Sequence, residues 1–75
     1  MIEIKSETTA TVWQIRVEAG QLVNTGEIVA ILESMKIEIP VTAPTGGVIL
    51  EIRVEPLSVV EEGDVIAIID PGTPT

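Results

Sequence analysis

The chain contains no cysteine, no histidine, no tyrosine and no phenylalanine; its one aromatic residue is Trp13. Without cysteine there is no disulfide staple and no thiolate to act as nucleophile or ligand. Without histidine as well, the usual ligands of transition metals, the Ser-His and Cys-His pairs and the commonest general base are all missing. No stretch resembles an EF-hand loop, so no metal site and no catalytic residue are assigned. A lone tryptophan makes no stacking platform for bases. Basic residues are scarce too: four stand against twelve acidic ones, for a net charge of −8. Nucleic acids and anionic membranes both need a positive surface, so neither is expected as a partner. No apolar run approaches the roughly 18 residues of a spanning helix, and no signal peptide opens the chain. The expectation is a soluble cytoplasmic protein.

What the chain does hold is β-branched. Valine and isoleucine supply 22 of the 75 residues, against four leucines and five alanines. Such side chains suit a pleated surface and lose rotamer freedom in a helix, so the composition predicts an all-β fold. Seventy-five residues make one small domain. It is placed at residues 1–70, with "DPGTPT" trailing into a short C-terminal tail at 71–75.

A repeat organises those residues. The segments 10–33, "ATVWQIRVEAGQLVNTGEIVAILE", and 47–70, "GVILEIRVEPLSVVEEGDVIAIID", align at an offset of 37 positions. Identities include Ile15/Ile52, Arg16/Arg53, Val17/Val54, Glu18/Glu55, Val23/Val60, Gly26/Gly63, Ala30/Ala67 and Ile31/Ile68. Ile2 to Lys5 and Ile39 to Thr42 also correspond. Each unit reads as strand, turn, strand. Trp13, Ile15 and Val17 alternate with Gln14, Arg16 and Glu18, and Leu50, Ile52 and Val54 alternate with Glu51, Arg53 and Glu55, which predicts one dry and one wet face. The apolar runs Val29 to Leu32 and Ile66 to Ile69 predict strands covered on both sides. Pro44 and Gly46-Gly47 mark a junction between the halves. Neither half could bury its apolar face alone, so the two are expected to face each other in a flattened barrel or sandwich with quasi-two-fold symmetry.

Between the strands expected at 28–33 and 37–42 lies Ser34-Met35-Lys36. Tight hairpins favour Asn-Gly, Asp-Gly or Gly-X because their central residues take positive φ. "SMK" is none of these, and a methionine at a wet tip wastes apolar surface. The chain has only two lysines, Lys5 and Lys36, and the second falls between the repeats. A solubilising turn lysine would be the structural explanation, but a broken local rule without structural gain points to function. The flanking Glu33 and Glu38 do not supply the burial or positive neighbours that activate a catalytic lysine. Lys36 therefore reads as a substrate of another enzyme.

These residues, "ESMKIEIPVTAPTGGVI" together with the paired segments Gly26 to Ile31 and Gly63 to Ile68, resemble the biotinyl/lipoyl attachment domain family over essentially the whole chain. The biotin carboxyl carrier type, and within it stand-alone biotin/lipoyl attachment proteins, fit best. The resemblance implies a flattened eight-stranded barrel-sandwich hybrid with Lys36 on an exposed hairpin, opposite the end carrying the termini. It implies covalent biotin on Lys36, attached by a biotin protein ligase. It also implies carriage of a carboxyl group between biotin carboxylase and carboxyltransferase, by a non-catalytic subunit or domain of a biotin-dependent carboxylase. Met35 would serve ligase and carboxylase recognition, and Glu33 and Ser34 would shape the hairpin. Family hairpins commonly read Ala-Met-Lys-Met, and here Ser34 and Ile37 replace the outer residues. Lipoyl-type domains usually carry Asp just before the lysine, where this chain has Met35. The alternative is a lipoyl or dual carrier, loaded by a lipoyl ligase, for 2-oxoacid dehydrogenase or glycine cleavage systems. A stand-alone protein and a domain of a larger carboxylase both stay open.

Overall fold

Eight strands follow one another along residues 1–72, which the computed structural model describes. They are β1 (Ile2–Lys5), β2 (Ala10–Ile15), β3 (Leu22–Val23), β4 (Ile28–Ser34), β5 (Ile37–Thr42), β6 (Gly47–Ile52), β7 (Val59–Val60) and β8 (Val65–Asp70). No helix forms among the described residues, so none is long and apolar enough to cross a membrane. Of the expected tail, Pro71 and Gly72 follow β8 outside any strand, and residues 73–75 lie outside the described residues.

The strands form two antiparallel sheets, ordered β1-β8-β6-β3 and β5-β4-β2-β7. An offset of 37 residues turns the first order into the second, and the registers follow it pair by pair. Ile2 faces Ile69 as Ile39 faces Leu32, and Ile49 faces Ile69 as Val12 faces Leu32. The loop bonds repeat as well. Arg16 donates its N–H to Val29 as Arg53 does to Ile66, and Gly26 donates to Ala43 as Gly63 does to Ser6. The quasi-two-fold symmetry read from the sequence is therefore a symmetry of hydrogen bonds. Each sheet takes two strands from each half, so the halves interlace rather than stack. Pro44 and Gly46, expected between the halves, lie instead in the β5–β6 connection; the halves meet at the β4–β5 turn.

The core between the sheets is aliphatic. Val12, Val29, Leu32, Ile49, Ile66 and Ile69 are its largest fully buried side chains, and Ala30 and Ala67 are fully buried with them. Here two expectations needed correction. The alternation that put Trp13 and Leu50 on the dry face breaks at a register shift in β2 between Val12 and Gln14, and at the matching shift in β6 between Ile49 and Glu51. A bulge adds one residue and resets the inward side, so Val12 and Ile49 fill the core while Trp13 and Leu50 each keep 42% of their surface exposed. Bulges also account for the apolar runs. Val29 and Ala30 are both buried beside the shift between Ile28 and Ala30, while Ile31 and Ile68 are only half-buried.

Two features concern the edges and turns. β5 is an edge strand with Pro40 in its middle, paired to Ile31. The missing N–H is tolerated at an edge and interrupts the row of donors that a further strand would need. Leu57 takes φ 70° at the position where the other half has Gly20 at φ 90°. The left-handed region costs a side-chain-bearing residue about 1–2 kcal/mol, part of which a glycine returns as unfolded-state entropy. Leu57→Gly is accordingly expected to stabilise the fold by about 0.5–1 kcal/mol, read as a rise in the thermal midpoint.

Candidate functional site

The β4–β5 connection is as short as a hairpin allows. Ser34 pairs with Ile37, leaving Met35 and Lys36 alone in the turn. Both have positive φ, 52° and 67°, the sign pattern of a type I′ turn, whose twist matches that of the strands it joins. The turn therefore has the geometry that favours Asn-Gly without either residue. In the other half, the position matching Met35 is Gly72, with φ 83°. Where no long side chain is presented, the same backbone conformation is made with glycine; at the hairpin the strain is kept.

The strain displays side chains. Met35 is 91% exposed, Lys36 and Ile37 are exposed beside it, and Ser34 is half-buried at the end of β4. Glu33 pairs across the sheet with Glu38 on one side and Thr11 on the other. Among the described residues the ion pairs are Lys5 with Glu3 at 3.6 Å and Arg53 with Glu51 at 3.1 Å, and Lys36 takes part in neither. Its side chain thus has no electrostatic anchor that a second enzyme would have to break. Lys5 is exposed as well, but it is the last residue of β1, paired to Val65 and bridged to Glu3.

Glu33 and Ser34 end β4 and Met35 and Lys36 form the turn after it, so Ser34 belongs to the strand and not to the turn. Missed from sequence were the positive φ angles at Met35 and Lys36. The two-residue spacing would have revealed them had Ser34 been read as a strand residue. A groove of about 350 Å³ opens elsewhere between the edge strands β1 and β5, lined by Ile4, Lys5, Thr8, Ile39, Pro40 and Thr42 among others. It does not include the tip.

The arrangement is a display of side chains, with Met35 and Lys36 beyond the paired ends of β4 and β5. What it offers is one amine, on a stiff two-residue turn, at the end of a rigid sandwich. A covalently held cofactor with a carboxylate fits that amine, because nothing around it blocks approach or competes for it.

Comparison with known proteins bears on that fit. A family profile described as "Biotin-requiring enzyme" matches residues 3–69. The chain is 40% identical over 45 residues to the biotin/lipoyl attachment protein of Bacillus subtilis, a stretch covering 60% of this chain and 62% of that one. Among solved structures it is similar to part of the urea carboxylase of Kluyveromyces lactis, with a TM-score of 0.87 and 33% identity over 92% of this chain and 6% of that one. It is also similar to the lipoyl domain of the 2-oxoglutarate dehydrogenase complex from Azotobacter vinelandii, with a TM-score of 0.82 and 25% identity over 97% of this chain and 100% of that one.

Proposed function

The chain belongs to the biotin/lipoyl attachment domain family, and from that membership we propose that Lys36 is the acceptor of a covalently attached biotin. The observation that carries the reading is the exposed, strained Met35-Lys36 turn, in a chain with one other lysine and that one inside a strand. Lys36 Nζ, as the free amine, attacks the ATP-activated carboxyl carbon within a biotin protein ligase. The C–N bond of an amide forms, adenylate leaves with the bonding pair of its C–O bond, and the amine proton passes to a base of the ligase. Attached there, biotin would supply carboxyl transfer between a biotin carboxylase and a carboxyltransferase. The chain's own residues need do no chemistry in that scheme.

Their work is positional. The I′ turn and the interlaced sheets hold the Lys36 Cα in place, so that only the side chain and its cargo swing. Met35, projecting next to the acceptor, is the side chain that ligase and carboxylase meet first, and Glu33 and Ser34 set the strand end from which the turn departs. Coupling two distant sites through one tether raises effective concentration over free diffusion. Residues 1–70 make up the attachment domain in this reading. The carrier belongs in the cytoplasm beside its ATP-dependent ligase.

Biotin is favoured over lipoate by Met35 in the place before the lysine. A lipoyl carrier is the second reading, supported by the similarity to a whole lipoyl domain. One experiment separates them. The chain is co-expressed with a biotin protein ligase or with a lipoyl ligase, and intact mass and peptide mapping are read. The expected result is one biotinyl group on Lys36, absent in Lys36→Arg, with Lys5 and the N-terminal amine bare. A lipoyl group alone moves the chain to the second reading, and a bare Lys36 with both ligases on a folded chain rejects both.

A further inference from the structure

Ser6 fixes which way the backbone of β1 points. Its N–H donates to the Asp64 carbonyl and its own carbonyl accepts from the Gly63 N–H, so both groups turn into the sheet. Along a strand paired on one side, main-chain groups alternate between the ladder and the open edge. Lys5 and Glu3 therefore direct their N–H and C=O groups away from β8. The register shift beside Lys5 adds its extra residue, Ile66, to β8, so the alternation within β1 runs unbroken. Burial follows it, with Ile4 and Ser6 buried and Glu3 and Lys5 exposed. The other half has the same parity. Ala43 donates to Glu27 and accepts from Gly26, and Pro40, which has no N–H to offer, stands where β1 has Glu3.

That difference between matched positions singles out one edge. Of the four edge strands, β3 and β7 are two residues long and β5 is interrupted by Pro40. Among the described residues β1 is the one edge of four residues without a proline. The groove of about 350 Å³ between β1 and β5 leaves room beside it. Unpaired donors and acceptors in such a row are a template for another strand. Charged side chains guard an edge only against a strand that cannot match them, and here Glu3 and Lys5 match each other. They share the outward face, 3.6 Å apart within one chain.

An antiparallel second β1 can pair outward-directed residues only with outward-directed residues, so Glu3 could meet Glu3, Lys5 or Glu7 of the other copy. Glu3 opposite Glu3 or Glu7 sets carboxylate against carboxylate. Glu3 opposite Lys5 sets unlike charges together twice, once on each side of a two-fold axis through Ile4. In that register each Glu3–Lys5 pair exchanges two main-chain hydrogen bonds. Ile2, 36% exposed, comes opposite Ser6 of the other copy.

We propose that β1 is an interface on which a second copy of this chain pairs in this register, joining two β1-β8-β6-β3 sheets into one. The Met35-Lys36 turn belongs to the other sheet and takes no part, so the dimer presents two Lys36 side chains. So short a seam buries far less than the roughly 1,200 Å² of a stable complex, which makes the dimer weak, with a midpoint of about 0.1–1 mM. Two chains of net charge −8 also repel each other. Pairing therefore tightens as ionic strength rises from about 0.01 to about 0.15 M and the Debye length shrinks from about 30 to about 8 Å.

Sedimentation equilibrium on the whole chain, up to about 2 mM, tests the interface with variants that melting curves show to be folded. Glu3→Lys and Lys5→Glu should each weaken association about fivefold or more, and the double exchange should restore it within about twofold. Glu3→Lys is the sharper of the two, because it lowers the net charge from −8 to −6 and would strengthen any association governed by net charge alone. Glu3→Pro, which gives β1 the residue its twin carries, should abolish association while the chain still folds. A wild-type chain that stays monomeric at about 2 mM and about 0.15 M salt overturns the proposal. So does a dimer that Glu3→Lys and Glu3→Pro leave unchanged, or one that the double exchange does not restore. None of these results touches the loading of Lys36, which intact mass reads separately.

Discussion

Replacing Met35-Lys36 by Asn-Gly is expected to give a chain that melts higher and cannot be loaded at all. Two side-chain-bearing residues now occupy left-handed φ at the turn, and Asn-Gly is the sequence that a type I′ turn prefers. Relief of that strain, less the entropy that glycine loses on folding, is expected to be worth about 1 kcal/mol. For a chain of this size that is roughly 4–8 °C in the thermal midpoint. Loading falls to zero because the amine is gone. Thermal melting and intact mass on the same sample check both halves of the statement. A lower midpoint would mean that the turn is held by contacts of Met35 or Lys36, at odds with their exposure. Stability and function pull in opposite directions over two residues, as expected where a strained turn serves to present a side chain.

Leu32→Ala should have the largest effect on stability, a loss of about 2–5 kcal/mol from transfer and cavity terms together. Leu32 is fully buried and lies two residues before Ser34, paired between Val12 and Ile39. Its symmetry mate Ile69, fully buried between Ile49 and Ile2, should lose a similar amount when truncated to alanine. Small domains have only about 5–15 kcal/mol in hand, so either variant leaves a much smaller margin. Denaturant unfolding measures the loss. Below the midpoint, Lys36 in Leu32→Ala should still accept its group, since the turn contributes little to the core. A near-neutral Leu32→Ala would show that the sandwich collapses to refill the space.

The repeat was the most legible feature of the sequence, because matched strands need matched apolar positions and the alignment at 37 carries straight into the registers. The all-β class followed from valine and isoleucine, and the hairpin from the misfit of "SMK" as a turn. Other features were not legible for definite reasons. A period-two pattern cannot show that one residue has been inserted, so Trp13 and Leu50 seemed to face inward until the bulges placed Val12 and Ile49 there instead. Nor does alternation say which half a strand pairs with, and interlacing of the sheets became visible only in the registers. The positive φ of Leu57 was hinted at by one thing only, the glycine standing 37 residues earlier.

The pairing of β1 with β8 has a consequence for what the Met35-Lys36 turn has to do. Ile2 meets Ile69 as Ile39 meets Leu32, so one ladder is built twice, once by neighbouring strands joined through a two-residue turn and once by strands far apart in sequence. The register is therefore set by the strands and not by the turn. Met35 and Lys36 are left free to be chosen for what they present to solvent.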